Sequence, residues 1–442
     1  MEDKKILVIG YGKAGKTVAM SMLKKSWQVF VYDDFLKNIS EKDLDKRINF
    51  IYNSSDVISQ EFDLLVKSPG IKPTNPLILA LKKQGRKIIS DIELGYLFKG
   101  PEKLIGITGT NGKTTTTSFI EFFLNKNNIK AKAVGNIGLG AVEEMIFTKM
   151  DILAIECSSF QLNDIETFRP DIALITNIDK DHLDYHGSEE NYIRAKLNLL
   201  KNLGPENYAV LNYDDPILKN QEGPYKKIYF SSKNKLTHGF YYKDGYIIFA
   251  KNQVEEKLID CKQLKLKGIH NYENIMAGLG VFYSLGLNLK DVSKTAYEFS
   301  GVRHRLEFVR NFKGVDYYND SKGTNTDSTR KALASFSQPI IILMGGYDKG
   351  EDFSGLLKEA KDKIKALLAF GQTGEKIYET ARDQGYQNIF LAHDLKGAFT
   401  RAQTLACSND LVLLSPACAS WDQYKSFEDR GDEFVNLVNS LK

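Results

Sequence analysis

The chain has few cysteines, no long apolar run and no leader-like N-terminus, and each absence narrows its class. Cys157, Cys261, Cys407 and Cys418 show neither CxxC nor CxH spacing, which argues against a zinc site and against a disulfide framework. No apolar stretch approaches the ~18 residues that cross a bilayer. The N-terminus lacks the apolar core and cleavage site of a signal peptide. We therefore expect a cytoplasmic protein with no membrane insertion.

An excess of one charge is also missing. Lys plus Arg number 60 against 56 Asp plus Glu, which leaves a net charge of +4. This nearly even balance of charges argues against nucleic acid as a partner. Any anionic ligand must therefore be held by local sites. The length of 442 residues is about three times that of a ~150-residue domain, which favours two or three domains.

Strand, turn and helix signals alternate along the whole chain, which predicts an α/β protein. Polar stretches near residues 98 and 300 divide it into segments 1–97, 98–300 and 301–442. The first and third segments are predicted to be Rossmann-like, doubly wound domains. The central segment resembles a P-loop ATPase domain, with a more β-like, charged insert near residues 226–266.

A first glycine loop lies between a predicted strand, Lys5–Ile9, and a predicted helix, Ala14–Lys25. Its sequence GYGKAG fits GxGxxG, and Asp33 and Asp34 end the next predicted strand, where a ribose could bind. Alone, this pattern indicates a dinucleotide, but a helix N-terminus attracts any nucleotide diphosphate. A role in strand-to-helix packing alone is the remaining alternative.

A second loop is more specific. The residues Gly109, Thr110, Asn111, Gly112, Lys113, Thr114 and Thr115 stand between a predicted strand and a predicted helix. This composition predicts a triphosphate cradle, in which backbone N–H groups and Lys113 hold phosphates and the Thr114 hydroxyl binds Mg²⁺. The loop departs from GxxxxGK[ST], because Ile107 stands at the first glycine position.

Acidic residues and a histidine follow two predicted strands near this loop. Glu156 follows one strand, and Asp179, Asp181, His182 and Asp184 follow the other. Oxygen ligands at this place suit Mg²⁺, although a lone histidine is more commonly an ordinary surface residue. From the residues alone, Lys196 on the predicted helix Glu189–Leu200 is a solvated helix charge.

Three polar loops end predicted strands of the last segment. They are residues 319–325, 345–349 and 415–420. Ligands of open α/β sheets bind at the carboxyl ends of strands, so Lys322, Lys349 and Ser420 are candidates for holding an anionic substrate. Ordinary polar turns are the alternative for any one of them.

Together these motifs resemble the Mur ligases, the ATP-dependent amide-forming enzymes of bacterial peptidoglycan precursor synthesis. The stretches that carry the resemblance span the chain: GITGTNGKTT, GNIGLG, ECSSFQL, DHLDYHG, YIRAKLNLL, GIHNYENIMAG, GVRHRLEFV, NDSKGTNTDST, LMGGYDKG and SPACASWDQYKSFEDRGDEF. The last stretch is typical of members that add D-glutamate rather than L-alanine, diamino acids or D-alanyl-D-alanine. The folate polyglutamate ligases resemble only the second and third segments.

The resemblance implies a role for each matching position. ATP would contact the loop from Gly109 to Thr115 together with Asn271, Asn274, Arg305, Asp320 and Lys322. Two Mg²⁺ ions would be held by Thr114, Glu156, His182 and Lys196, the last as an N-carbamate. UDP would contact Gly12, Lys13, Ala14, Asp33, Asp34, Ser68, Pro69, Gly70, Asn136, Gly138 and His182. D-Glutamate would be lined by Thr324, Lys349, Ser420 and Phe427. Phe35 stands where the family often has a basic residue.

The implied reaction joins D-glutamate to UDP-N-acetylmuramoyl-L-alanine through an acyl phosphate formed with ATP. The implied catalytic residues are Lys113, Glu156, His182 and Lys196. Closure of the third domain onto the second, with hinges near residues 98 and 300, would assemble the site. The implied enzyme is monomeric. Three alternatives stay open: an NAD-dependent oxidoreductase, argued from GxGxxG; a non-catalytic nucleotide switch, argued from the phosphate loop; and another amino-acid ligase of the Mur and folylpolyglutamate superfamily.

Overall fold

The computed structural model describes residues 4–36, 44–136 and 140–442, without the side chains of Asp184 and Asp327. The predicted UDP contact Gly138 lies outside these residues. The chain divides into two compact units, Met1–Glu298 and Phe299–Lys442. The first contains a five-stranded and a nine-stranded sheet, and the second contains a six-stranded sheet. The predicted α/β class is confirmed. No helix within the described ranges has the length and apolar character needed to cross a membrane.

The first sheet is parallel throughout, with the strand order β3-β2-β1-β4-β5. Its elements are β1 (Lys5–Ile9), α1 (Lys13–Lys24), β2 (Gln28–Tyr32), β3 (Asn49–Ile51), α2 (Ser54–Ser59), β4 (Leu64–Lys67), α3 (Pro76–Lys83), β5 (Ile89–Ser90) and α4 (Asp91–Phe98). Ile6, Leu7 and Val8 are fully buried, as expected for a parallel strand covered on both faces. The strand order reverses between β1 and β4, so the loops that follow these strands flank the usual ligand crevice.

The second sheet has the order β14-β13-β12-β11-β10-β9-β6-β8-β7. Its elements are β6 (Lys103–Thr108), α5 (Lys113–Lys126), β7 (Ala131–Gly135), α6 (Ala141–Phe147), β8 (Ile152–Glu156), α7 (Ser159–Leu162), β9 (Ile172–Ile175), α8 (Leu183–His186), α9 (Glu189–Leu197), a 3₁₀ turn (Asn198–Leu200), β10 (Tyr208–Asn212), α10 (Pro216–Lys219), β11 (Lys226–Ser231), β12 (Gly239–Lys243), β13 (Tyr246–Lys251), β14 (Val254–Asp260), α11 (Ile269–Ser284) and α12 (Leu289–Ala296). The predicted β-like insert is confirmed: its strands extend the sheet, and the last two pairings are antiparallel. The phosphate loop follows β6, which lies between β8 and β9.

The third sheet has the order β15-β16-β20-β17-β18-β19, and all pairings except β15 with β16 are parallel. Its elements are β15 (Glu307–Phe312), β16 (Val315–Asn319), α13 (Thr326–Ala334), β17 (Ile340–Gly345), α14 (Ser354–Ala360), β18 (Ile364–Phe370), α15 (Gly374–Asp383), β19 (Ile389–Ala392), α16 (Leu395–Leu405), β20 (Leu411–Leu414) and α17 (Phe427–Asn439). The three predicted ligand loops follow β16, β17 and β20, which are neighbours in the sheet. Their carboxyl ends therefore bring the three loops together.

Candidate active site

The backbone of the phosphate loop is anchored to the segment that follows β9. Gly109 and Gly112 have φ of 149° and 84°, a region that favours glycine. The backbone N–H of Thr110 donates to the carbonyl of Asn177 at 2.9 Å, and that of Asn111 donates to the Asn177 side chain at 2.8 Å. Helix α5 then starts at Lys113, with Gly112 as an N-cap that has no side chain to accept the first N–H groups. This geometry suits a bound phosphate.

Two lysines meet on one carbonyl of this loop. The ammonium of Lys113 donates to the carbonyl oxygens of Gly109 at 2.8 Å and Thr110 at 3.0 Å. The ammonium of Lys196 donates to the same Gly109 oxygen at 2.7 Å and lies 4.7 Å from the ring centroid of Tyr192. Burial first, and then the charge of Lys113, lower the pKa of Lys196 to about 7.

The interpretation of Lys196 as a solvated helix charge is wrong. Its exposed fraction is 2%, because α9 packs against α7 and turns this position towards the phosphate loop. A lysine with so low a pKa is partly neutral at neutral pH and therefore nucleophilic. The structure thus brings together Lys113 and Lys196, two residues 83 positions apart in the chain.

Glu156 ends β8 with a carboxylate that is only half satisfied. It is 1% exposed, and its Oε1 accepts from the Asn136 side chain at 3.2 Å. Its Oε2 has no hydrogen-bond partner among the described residues. An orphaned buried carboxylate oxygen calls for a cation. Thr114, in the first turn of α5, is also buried.

His182 occupies a strained turn at the start of α8. Its φ is 49°, which is uncommon for a side chain with a Cβ. Its Nε2 lies 3.5 Å from an Asp181 carboxylate oxygen, and its ring lies 4.9 Å from that of Phe160. The side chain is 48% exposed and can still accept a ligand.

In the described part of the chain, no three His, Cys, Asp or Glu side chains cluster tightly enough to bind a metal by themselves. A metal here would therefore need further oxygens, such as those of phosphate.

The predicted ATP contacts Asn271 and Asn274 lie on α11, beside the phosphate loop. The Asn274 side-chain oxygen accepts from the Thr116 hydroxyl at 3.3 Å. A Cβ added at Gly112 would lie 2.2 Å from the same Asn274 oxygen. The Asn271 amide donates to the carbonyl of Lys267 at 2.8 Å. Both asparagines are buried. Their spacing of three residues places them on one face of the helix.

In the first sheet, Asp33 supports the glycine loop. Its carboxylate accepts the backbone N–H groups of Tyr11 at 2.7 Å and of Phe35 at 2.8 Å. Asp34 accepts from the Tyr32 hydroxyl at 2.7 Å. A Cβ at Gly15 would lie 1.8 Å from the Gly10 carbonyl oxygen, so this last glycine of the motif serves packing.

The loop after β4 meets the glycine loop. The Ser68 hydroxyl donates to the Gly10 carbonyl at 2.8 Å, while added Cβ atoms at Gly12 and Gly70 would meet no other atoms. The open space at Gly12 and Gly70 leaves room for a ligand. Pro69 stands between Ser68, which makes the contact with Gly10, and Gly70. Lys13 and Ala14 form the first turn of α1.

In the second unit, one buried arginine joins the three ligand loops. The Arg430 guanidinium donates to the hydroxyl and the carbonyl of Ser321 at 3.0 and 2.9 Å, and to the carbonyls of Cys418 and Ala419 at 3.0 and 3.2 Å. It also lies 3.4 Å from the Gly345 carbonyl oxygen. Sequence reasoning did not single out Arg430. Its place in the final motif was the only signal available.

The predicted ligand residues of this unit differ in how enclosed they are. Asp320 is buried, accepts from the Ser415 hydroxyl at 2.7 Å and, mainly through burial, has its pKa raised to about 7. Arg305 draws the same pKa downward by its charge. The buried Ser420 hydroxyl has no partner among the described residues. Other positions are less enclosed. The ammonium of Lys349 lies 4.8 Å from the Trp421 ring centroid, and that of Lys322 lies 5.9 Å from the Phe427 ring centroid. The backbone N–H of Thr324 donates to the Lys322 carbonyl at 2.9 Å.

Comparison with known proteins gives the same family for all parts of the chain. Residues 4–90 match the family described as Mur ligase MurD-like, N-terminal domain; residues 107–282 match the Mur ligase middle domain; and residues 304–418 match the Mur ligase, glutamate ligase domain. The UDP-N-acetylmuramoylalanine--D-glutamate ligase of Alkaliphilus metalliredigens is 40% identical and covers 100% of this chain and 99% of its own length. The enzyme of the same name from Clostridioides difficile is 39% identical and covers 100% of both chains.

Solved structures agree on the fold. The UDP-N-acetylmuramate-alanine ligase of Thermotoga maritima has a TM-score of 0.58 at 20% identity and covers 99% of this chain and 100% of its own. The MurF ligase of the same organism, solved in complex with ADP, has a TM-score of 0.57 at 18% identity and covers 99% of this chain and 95% of its own.

A phosphate loop with two lysines, beside a half-satisfied buried carboxylate, is typical of an enzyme that uses a nucleotide triphosphate. The chain belongs to the Mur ligase family. It is an ATP-dependent ligase that forms carbon–nitrogen bonds, with the three-domain α/β fold of that family. The oxidoreductase and switch alternatives are set aside by this membership.

Proposed function

We propose that the protein joins D-glutamate to UDP-N-acetylmuramoyl-L-alanine in bacterial peptidoglycan precursor synthesis, with ATP converted to ADP and phosphate. Support comes from the relatives named for this activity, which match over the full chain at about 40% identity. One structural observation carries the proposal: the ammonium groups of Lys113 and Lys196 both donate to the Gly109 carbonyl, in the loop that leads into α5.

The reaction needs a carboxylate to attack the γ-phosphate of ATP, and both groups are anionic. Lys113, at the start of α5, is suited to offset that repulsion. The resulting acyl phosphate has a good leaving group, so the amine of D-glutamate can displace phosphate and form the amide. The candidate ATP contacts are the loop from Gly109 to Thr115 with Asn271 and Asn274 in the first unit, and Arg305, Asp320 and Lys322 in the second.

The residues present fit two Mg²⁺ ions. The unpartnered Glu156 oxygen and the Thr114 hydroxyl are suited to one ion, and His182 and Lys196 to the other. Magnesium would supply charge neutralisation at the transferred phosphate. A carbamate on Lys196 would replace a cation with an anionic oxygen donor. The low pKa of the Lys196 ammonium provides the neutral amine that reacts with CO₂.

The remaining contacts are assigned by position. For the UDP-substrate they are Gly12, Lys13, Ala14, Asp33, Asp34, Ser68, Pro69, Gly70, Asn136, Gly138 and His182. For D-glutamate they are Thr324, Lys349, Ser420 and Phe427, and the unpartnered Ser420 hydroxyl is an available donor to a carboxylate. We also propose functional domains 1–97, 98–300 and 301–442 and a monomeric enzyme of the cytoplasm. Light scattering of the purified chain tests the monomeric state.

Phosphate release measured with UDP-N-acetylmuramoyl-L-alanine and ATP tests the proposal. Release that depends on D-glutamate supports it. Release that requires a different UDP-linked acceptor, together with L-alanine, a diamino acid or D-alanyl-D-alanine, assigns the chain to another branch of the family.

A further inference from the structure

A buried ammonium joins the first two sheets between two candidate ligand sites. Lys67 is the last residue of β4 and is 2% exposed. Its ammonium donates to the carbonyl of Ile71 and to the hydroxyl oxygen of Tyr185, both at 2.9 Å, and lies 3.0 Å from a carboxylate oxygen of Asp164. The ammonium therefore makes two hydrogen bonds and one ion pair, each with a different residue.

One end of this cluster is the loop assigned to the UDP-substrate. Ser68, Pro69 and Gly70 lie between Lys67 and Ile71 in the chain, so the Lys67–Ile71 bond closes the loop at its base. The Tyr185 hydroxyl donates to the same Ile71 carbonyl at 3.0 Å. This carbonyl is therefore fixed by one donor from the first sheet and one from the second.

The other end is the turn that bears His182. Tyr185 belongs to α8, which begins directly after His182. The ring of Phe160 lies 4.2 Å from that of Tyr185 and 4.9 Å from that of His182. Since both side chains pack on one ring, a shift of Tyr185 is transmitted to His182.

Asp164, in the segment between α7 and β9, forms the ion pair with the ammonium. Its carboxylate is 4% exposed, and its backbone carbonyl accepts the N–H of Ser90 at 2.9 Å. A buried charge pair of this kind contributes little net stability, because desolvation offsets the attraction. The two hydrogen bonds of the ammonium, to Ile71 and Tyr185, nevertheless define one arrangement of the groups they join.

We infer that Lys67 is a positioning residue for ligation: through Ile71 and Tyr185 it holds the 68–70 loop in register with the His182 turn. The inference rests on the proposed function, because that proposal assigns the loop to the UDP-substrate and His182 to a metal. The sequence gives no hint of it, since a lysine at the end of a buried strand reads as an ordinary polar residue.

The test is steady-state kinetics of the full-length Lys67→Met/Asp164→Asn variant, which removes both members of the buried ion pair. Loss of the bonds to Ile71 and Tyr185 should raise KM for UDP-N-acetylmuramoyl-L-alanine by about tenfold or more, as expected for charged hydrogen bonds. The KM for ATP should stay within about twofold. Tyr185→Phe, which keeps the packing and removes the hydroxyl, should shift the same KM in the same direction and decides the matter if the double variant does not fold.

Glu93→Gln is the matched control. The Glu93 carboxylate joins the same two sheets by accepting the N–H groups of Glu166, Thr167 and Phe168, but none of these bonds reaches a ligand loop. It should lower Tm and leave the ratio of the two KM values unchanged. The inference is overturned if folded Lys67→Met/Asp164→Asn and Tyr185→Phe retain the wild-type KM, or if Glu93→Gln changes that ratio equally. Wild-type enzyme without D-glutamate-dependent phosphate release would instead contradict the proposed function.

Discussion

The ammonium groups of Lys113 and Lys196 share one acceptor, the carbonyl oxygen of Gly109, at 2.8 and 2.7 Å. Two like charges on one oxygen are unfavourable, and the buried partner is the one that gives up its proton more readily. Lys113 stands at the start of α5, where a cation suits a bound phosphate. Lys196 is left as a partly neutral amine beside it.

Carbamate formation on Lys196 is the first prediction. Protein equilibrated with ¹³C-labelled bicarbonate and Mg²⁺ should give a carbamate resonance in carbon-13 NMR, because a neutral amine reacts with CO₂ and metal binding holds the product. The resonance should vanish in Lys196→Met, together with most of the activity. The exposed Lys201→Met variant, on the turn that follows α9, is the control and should keep the signal. A fully active Lys196→Met enzyme would contradict the assignment.

Lys113→Ala should abolish phosphate release while the chain stays folded. The change removes a cation from the phosphates without opening a core, and such stabilisation is worth ~3 kcal/mol or more, on the order of 100-fold in rate. The control is Lys126→Ala at the other end of α5, where the lysine makes an exposed ion pair with Glu298. Near-normal turnover of Lys113→Ala would refute the triphosphate cradle.

Lys349→Ala and Ser420→Ala should raise KM for D-glutamate far more than KM for ATP. A charge-assisted hydrogen bond to a carboxylate is worth ~1.5–3 kcal/mol, or roughly 10- to 100-fold in affinity. Lys361→Ala, an exposed lysine of the same unit that donates to the Gln384 carbonyl, should change neither KM. The opposite pattern, a weakened ATP affinity with unchanged D-glutamate affinity, would mean that the pocket holds another ligand.

The buried carboxyl of Asp320 predicts a pH dependence for the stability of the second unit. Its usual pKa of 3.8 applies in the unfolded chain, and burial raises the pKa to about 7 in the folded one. Between these values the folded state binds more protons, so the free energy of unfolding falls as pH rises from about 4 to about 7.

Asp320→Asn removes this titration while preserving shape. Hydrogen exchange of β17 and β20 amides, corrected for intrinsic rates, should show that the stability of wild type relative to Asp320→Asn decreases over this range by up to about 1.4 kcal/mol per pH unit. Parallel pH profiles for the two proteins would show that Asp320 is already ionised when folded.

Local patterns predict the fold well because parallel sheets of buried strands leave continuous apolar runs. Strand β1 has the predicted bounds, and α1 begins and ends one residue earlier than its prediction. Glycine loops and polar strand ends are equally local, so the phosphate loop could be read directly from the sequence. The short strand β7 lacks such a run and was not predicted.

Side-chain environment could not be predicted in the same way, because it depends on packing between distant segments. Lys196 lies on a helix of low apolar content, yet it is buried against a loop 87 residues earlier. Arg430 and Lys67 are charged residues that local patterning assigns to the surface, and only the assembled loops and sheets supply their buried acceptors. Asp33 supports its own loop through the N–H groups of Tyr11 and Phe35, although its position indicates a ribose contact.

The most direct test of the account compares D- with L-glutamate in a phosphate-release assay that contains UDP-N-acetylmuramoyl-L-alanine and ATP. The amide product should be identified by mass spectrometry in the same reaction. The account predicts phosphate release with D-glutamate, stoichiometric with the amide, and little above background with L-glutamate. Equal release with both enantiomers, or release without amide formation, would contradict it.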